Sequence, residues 1–172
     1  LKNLYQCKII GYEEDASRIN GIDIKLKNRE IYRFEDEEIE INFAPGHTSG
    51  HVFYFFKKNK FAFVGDIVFS LGCGRIFNSV MQIKSLPDET KIFCGHEYTE
   101  NNLKFCLAFD KQNNDLKDKA LEIKNLRKKG LPTIPTDVLS EKKNNIFFRC
   151  DNPEISANLE MRGETPEKIF EK

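Results

Sequence analysis

The chain has 172 residues, of which 40% are hydrophobic, and its 27 Lys+Arg balance 27 Asp+Glu. That is about one domain's worth of sequence and too apolar for a disordered chain. The balanced charge gives no electrostatic footprint for nucleic acid or an acidic membrane surface, and no run approaches the ~20 apolar residues of a membrane span.

The opening Leu1-Lys2-Asn3-Leu4 carries no secretory signal. Leu at position 1 is unusual for an intact product, which leaves two readings: an unusual start, or missing sequence upstream. Cys7-Lys8-Ile9-Ile10-Gly11 is a short apolar run. Ile22-Asp23-Ile24-Lys25-Leu26 and Ile39-Glu40-Ile41-Asn42-Phe43 alternate with period two, which predicts half-buried strands. Val52 to Phe56 and Phe61 to Val64 flank the polar turn Lys57-Lys58-Asn59-Lys60, which predicts a hairpin. Lys91-Ile92-Phe93-Cys94 predicts one more strand, ending at Gly95.

Near Thr99 the pattern turns helical. Thr99-Glu100-Asn101 is suited to capping a helix that runs to about Phe109. Leu116, Ala120, Ile123 and Leu126 set a second helix, closed by Gly130. Leu131-Pro132-Thr133-Ile134-Pro135 predicts an extended connector. Pro166, after Thr165, predicts the first position of a last helix. The sequence ends little more than one turn later, so that helix is expected to be cut short. The 5 Cys are odd in number and form no C-x-x-C, which predicts free thiols and a reducing, cytoplasmic setting.

The 3 His sit in two short loops at predicted strand ends. One loop is Ala44-Pro45-Gly46-His47-Thr48-Ser49-Gly50-His51 and the other is Cys94-Gly95-His96-Glu97-Tyr98. Between them, Asp66 follows Gly65 at the end of an apolar strand. Taken singly, a loop His is ordinarily a surface residue and an Asp after a strand a turn former. Together, ligands fixed at strand ends, with glycines that let the backbone turn, are what a metal site needs.

The segments Pro45-Gly46-His47-Thr48-Ser49-Gly50-His51, Gly65-Asp66, Gly72-Cys73-Gly74-Arg75 and Cys94-Gly95-His96-Glu97-Tyr98-Thr99-Glu100-Asn101-Asn102-Leu103-Lys104-Phe105 resemble glyoxalase II, the hydroxyacylglutathione hydrolases. The first motif marks the metallo-β-lactamase superfamily; the last two are specific to the glyoxalase II branch. The resemblance implies an α+β fold, with part of a metallo-β-lactamase αββα sandwich over residues 1–98 and a helical domain over 99–172. It implies two divalent metal ions, zinc with iron or manganese as alternatives. His47 would bind the first metal, Asp66 would bridge both as the catalytic carboxylate, and His96 would bind the second. His51 matches a position that supports the loop. Arg75 and Tyr98 would contact the glutathione moiety, with Ile76 and Phe77 lining the same stretch. The implied reaction is attack of a metal-held hydroxide on the thioester of S-lactoylglutathione, giving D-lactate and glutathione in methylglyoxal detoxification. No protein nucleophile is needed, and Cys73 and Cys94 are expected to be buried beside the site.

Three departures from the family pattern follow. Its T-H-x-H-x-D-H motif, which supplies further metal ligands, lies upstream of these residues. A segment that leads into a helix is shortened after Phe77. The family's basic pair for the glutathione carboxylates lies beyond Lys172, and Arg162 and Lys168 do not replace it. The chain is thus expected to expose sheet edges and an apolar face along its Phe-rich strands. The partner classes expected are a glutathione thioester and a complementing N-terminal chain. The competing reading is a non-catalytic remnant, or a subunit that needs a separate N-terminal half. A sulfur dioxygenase or a ribonuclease would keep the superfamily, but the motifs around Arg75 and Tyr98 argue against both.

Overall fold

In the computed structural model, residues 1–74 and 76–172 are described. In chain order the elements are α1 (Lys2–Tyr5), β1 (Ile10–Tyr12), β2 (Ile24–Leu26), β3 (Ile31–Phe34), β4 (Glu37–Phe43), β5 (Val52–Phe56), β6 (Phe61–Gly65), β7 (Val68–Phe69) and β8 (Gly72–Cys73). They continue with α2 (Phe77–Lys84), β9 (Lys91–Cys94), α3 (Thr99–Phe109), α4 (Asn114–Lys128), β10 (Thr136–Asp137), α5 (Val138–Asn144), α6 (Pro153–Asn158) and α7 (Pro166–Glu171). This is the expected α+β class.

A six-stranded sheet in the order β10-β9-β6-β5-β4-β3 organises the chain. Neighbouring strands run antiparallel except β6 and β9, which are parallel. One face is aliphatic and buried: Ala62, Val64 and Ile92 join Val80 and Ile83 of α2 in the core. The same cluster continues through Cys106, Leu116, Phe148 and Ile155 to Phe170. The sheet and the helices after residue 98 therefore share one core.

The other face is aromatic. Phe63 stacks on Phe93 at 5.0 Å and meets Phe56 edge-on at 5.3 Å. Phe61 and Phe63 stay 36% and 43% exposed, so the expected open apolar face is present.

The period-two and hairpin patterns located β4, β5, β6 and β9. Several elements had no such signal, β3, α2 and α5 among them. β3 lies at the sheet edge with all four residues exposed or half-buried, so nothing forces an alternation on it. α2 follows Phe77 directly and buries Ser79, Val80 and Ile83, too short a stripe to read. α5 buries Val138, Glu141 and Asn144, so its inward face is two-thirds polar.

The helix ends are mostly as expected. Asn113 accepts from the Leu116 N–H to start α4, and Thr165 accepts from the Lys168 N–H ahead of Pro166 in α7. The expected Thr99 cap is corrected. Tyr98 occupies the N-cap without a side-chain bond, and the Thr99 hydroxyl donates to Glu97 Oε1 at 2.9 Å. None of the five cysteines is in a disulfide among the described residues.

Candidate metal centre

Topology brings the loops together. β4 and β6 end, and antiparallel β5 begins, at one edge of the sheet. β9 runs parallel to β6, and the Gly95 N–H donates to the Gly65 carbonyl at 2.9 Å. The residues after these two strands, Asp66 and His96, therefore lie side by side, with the His47 loop across from them.

Two glycines permit the approach. Gly65 has φ +53°, and a Cβ there would sit 2.7 Å from His51 Cε1. A Cβ on Gly95 would sit 2.7 Å from Asp66 Oδ1. His51 then holds the Asp66 backbone: the Asp66 N–H donates to His51 Nε2 at 3.3 Å. That contact needs Nε2 unprotonated, so Nδ1 carries the proton and donates to the Val52 carbonyl at 3.0 Å. Burial lowers the His51 pKa, which keeps this neutral ring.

The Asp66 carboxylate faces two imidazoles. His47 Nε2 is 3.2 Å from Oδ2, and His96 Nε2 is 3.5 Å from Oδ1. Both His side chains are about half exposed, at 55% and 50%, so their nitrogens remain reachable from solvent. Asp66 Oδ1 is buried and has no hydrogen-bond partner among the described residues. An anionic oxygen in that state is costly unless a cation is meant to meet it.

A wall stands beside this group. The Tyr98 ring stacks on His96 at 4.9 Å and 11°, and Phe69 packs against Tyr98 at 5.2 Å and His96 at 6.1 Å. Phe69 belongs to the short β7–β8 hairpin, where it pairs with Gly72. Ile76 lies over Gly46 in the His47 loop. Phe77 turns its ring to Phe170 of α7 at 5.5 Å, away from the carboxylate. Arg75 lies outside the described residues.

The structure thus brings together His47, Asp66, His96 and Tyr98, places Ile76 at the margin, and places Phe77 elsewhere. Cys73 and Cys94 are half-buried. The Cys94 thiol donates to the His96 carbonyl at 3.4 Å, and burial raises its pKa, which disfavours a nucleophilic thiolate.

Sequence reasoning missed Phe69 and Glu97. Glu97 accepts from the Thr133 N–H at 3.0 Å and from Thr99, tying the His96 loop to the connector. A Phe three residues after the strand-end Asp was the only signal for the first; the second had none.

The donor types fit divalent metal ions, with imidazole nitrogen and a carboxylate whose two oxygens face different rings. The three residues form two pairs that share Asp66. Among the described residues no group of three or more His, Cys, Asp or Glu converges on one point. A catalytic zinc takes three protein ligands, so each pair supplies two of the three.

The model of the metallo-β-lactamase superfamily matches residues 5–101, and that of the hydroxyacylglutathione hydrolase C-terminus matches residues 97–172. The hydroxyacylglutathione hydrolase of Pelagibacter ubique is 44% identical over 92% of this chain and 70% of its own length. The chain belongs to the hydroxyacylglutathione hydrolase family. The enzyme of that name from Chelativorans sp. is 39% identical over 99% of this chain and 70% of its own length. Among solved structures, ETHE1 from Myxococcus xanthus superposes with a TM-score of 0.58 at 19% identity, covering 98% of this chain and 64% of that one. It supports the metallo-β-lactamase fold alone. The relatives are named hydrolases, and the metallo-β-lactamase superfamily implies the use of divalent metal. The relatives carry their additional length within one chain and give no support to a separate complementing chain. No helix among the described residues is long and apolar enough to cross a membrane.

Proposed function

We propose that this chain serves the hydrolysis of a glutathione thioester, S-lactoylglutathione, to D-lactate and glutathione in the cytoplasm, removing the adduct formed from methylglyoxal. One observation carries the reading. Asp66 presents its two oxygens to His47 and His96, and the buried oxygen has no hydrogen bond among the described residues. His47, Asp66 and His96 would hold divalent metal, zinc or in its place iron or manganese. When bound, such ions polarise a carbonyl and make hydroxide accessible near neutral pH.

The remaining work belongs to the protein. His51 fixes the Asp66 backbone and, as a neutral ring, adds no charge to the site. The Tyr98 and Phe69 rings make an apolar wall on the exposed side of His96, against which the acyl end of a thioester can lie. The Tyr98 hydroxyl and the Arg75 guanidinium are assigned to the glutathione moiety, Arg75 for its ability to grip a carboxylate. Ile76 borders the same pocket over Gly46, and Phe77 holds α2 against α7 behind it. A division at residue 98 would leave His47, Asp66 and His96 in the first domain, with the helical part behind them.

The test is metal content of the dialysed chain by elemental analysis, with loss of the thioester absorbance of S-lactoylglutathione followed on the same sample. Bound metal with turnover is the expected result. Bound metal without turnover would leave the non-catalytic reading in its place.

A further inference from the structure

The tip of the β7–β8 hairpin is gripped from the side opposite the metal centre. Leu71 sits at that tip with φ +61°, a left-handed backbone that a branched residue seldom adopts, and its side chain is fully buried. Side chains from the helical part of the chain converge on it. Glu141 Oε2 accepts from the Leu71 N–H at 2.9 Å, and Asn145 Nδ2 donates to the Gly72 carbonyl at 3.1 Å. Asn102 Nδ2 donates to the Ser70 carbonyl at 3.0 Å, and the Cys106 thiol to the Leu71 carbonyl at 3.3 Å.

Glu141 is the hub of this group. The same Oε2 accepts from Asn145 Nδ2 at 2.8 Å, while Oε1 accepts from Thr136 Oγ1 at 2.7 Å. The residue is completely buried. An apolar side chain of that volume would fill the space without the penalty of desolvating a carboxyl. What it would lose is the hold on the Leu71 N–H.

The other side of the hairpin is the wall of the site. Phe69, two residues before Leu71, packs on Tyr98 and His96. Gly74, three residues after Leu71, lies directly on the Asp66 carbonyl, where a Cβ would come within 1.9 Å. Its N–H donates to the Ile67 carbonyl at 2.8 Å. A displaced tip would therefore move both the Phe69 ring and the backbone of Asp66.

We propose that Glu141 is a positioning residue, which clamps the Leu71 tip and through the hairpin sets Phe69 against the His96–Tyr98 stack and Asp66 against His96. Its functional weight rests on the reading of Asp66 and His96 as metal donors; its structural content does not.

The test uses the full chain without metal. Its 3 His give three imidazole Hε1–Cε1 resonances, assigned with His96→Gln. The His96 signal reports the Tyr98 and Phe69 rings packed around it. Glu141→Leu removes the acceptor, Glu141→Asp is too short to reach the Leu71 N–H, and Glu141→Gln keeps a carbonyl oxygen for it. The expected result is a His96 signal shifted toward the free-imidazole position in Glu141→Leu and Glu141→Asp, and restored in Glu141→Gln. A role confined to stability would lower the melting temperature and leave the signal in place. A cooperatively folded Glu141→Leu with an unmoved His96 signal overturns the proposal. Should Glu141→Leu fail to fold, Glu141→Asp decides in the same way. Addition of Co2+ to the unaltered chain tests the metal reading separately. Broadening of the His47 and His96 signals upholds that reading, and its absence sinks it while leaving the Glu141 result intact.

Discussion

Two carboxylates flank the β7–β8 hairpin, and they are treated in opposite ways. Glu141 is fully buried, and each of its oxygens has a donor. The Asp66 side chain keeps 20% of its surface, yet its buried Oδ1 has no hydrogen bond among the described residues. A protein interior leaves few polar atoms unsatisfied, because each costs free energy with no return in stability. At the Leu71 tip both oxygens of Glu141 are committed to hydrogen bonds, whereas Asp66 at the strand end keeps Oδ1 without one among the described residues. The difference separates a structural carboxylate from a ligand more sharply than burial does.

The largest expected effect tests that contrast at Asp66. Asp66→Asn preserves shape and removes the charge that two metal ions would share. Metal affinity should fall by at least about 100-fold, more than the loss typical of an outer-shell ligand partner. The melting temperature should hold or rise, since an uncompensated anion is removed. Metal titration and thermal denaturation of the same sample check both halves. A clear fall in melting temperature would place Asp66 with Glu141 as a structural group.

Glu141→Leu should show the reverse balance. It strands the Leu71 N–H and the Thr136 hydroxyl in a dry interior and leaves the Asn145 amide only its bond to the Gly72 carbonyl. The expected cost is about 4 kcal/mol of stability, from about 1–3 kcal/mol per orphaned group less the gain from an apolar side chain. Chemical denaturation against the unaltered chain measures it.

The two carboxylates also differ in how far they could be read from sequence. Asp66 was legible because its context was local: an apolar strand, then Gly65, then Asp66. The central strands were legible for the same reason: β4 alternates with period two, and β5 and β6 are apolar runs on either side of a polar turn. Glu141 lies in Ser140-Glu141-Lys142-Lys143-Asn144-Asn145, which reads as a solvated surface. Its partner Leu71 is 70 residues away, so no window along the chain can show the contact. His51 was assigned to loop support by resemblance, yet its bond to the Asp66 N–H depends on the pairing of β5 with β6. Properties set by the fold rather than by neighbours in sequence were the ones that stayed hidden.

A third test uses pH to separate the satisfied carboxylate from the rest. Burial pushes the Glu141 pKa up from 4.5 to about 7, against the opposing bonds from Thr136, Asn145 and Leu71. The folded chain therefore holds its proton where the unfolded chain has released it. The resulting contribution to stability is present in full below pH 4.5 and is lost as pH rises through about 7. Glu141→Gln resembles the protonated form and does not titrate. The stability of the original chain should thus fall relative to Glu141→Gln by about 3 kcal/mol between those limits, at about 1.4 kcal/mol per unit. Denaturation of both proteins at about pH 5 and about pH 8 checks it, and the contributions of the other carboxylates cancel in the difference.

The smallest expected effect sharpens the comparison most, because it perturbs Asp66 Oδ1 without touching its charge. Gly95 does not use a left-handed backbone, so Gly95→Ala is tolerated by the main chain. The new Cβ would fall 2.7 Å from Asp66 Oδ1 and must displace it. A carboxylate at the end of a side chain can swing aside at little cost to the fold, but its alignment with His96 is lost. Metal affinity should drop by about tenfold, equivalent to about 1.4 kcal/mol, with stability nearly unchanged. The double variant with Asp66→Asn should bind metal no more weakly than Asp66→Asn alone, because the oxygen that Gly95 accommodates has then already lost its charge. Additive losses would show instead that Gly95 acts through the His96 backbone, and the role given to the unsatisfied oxygen would pass to the loop that carries it.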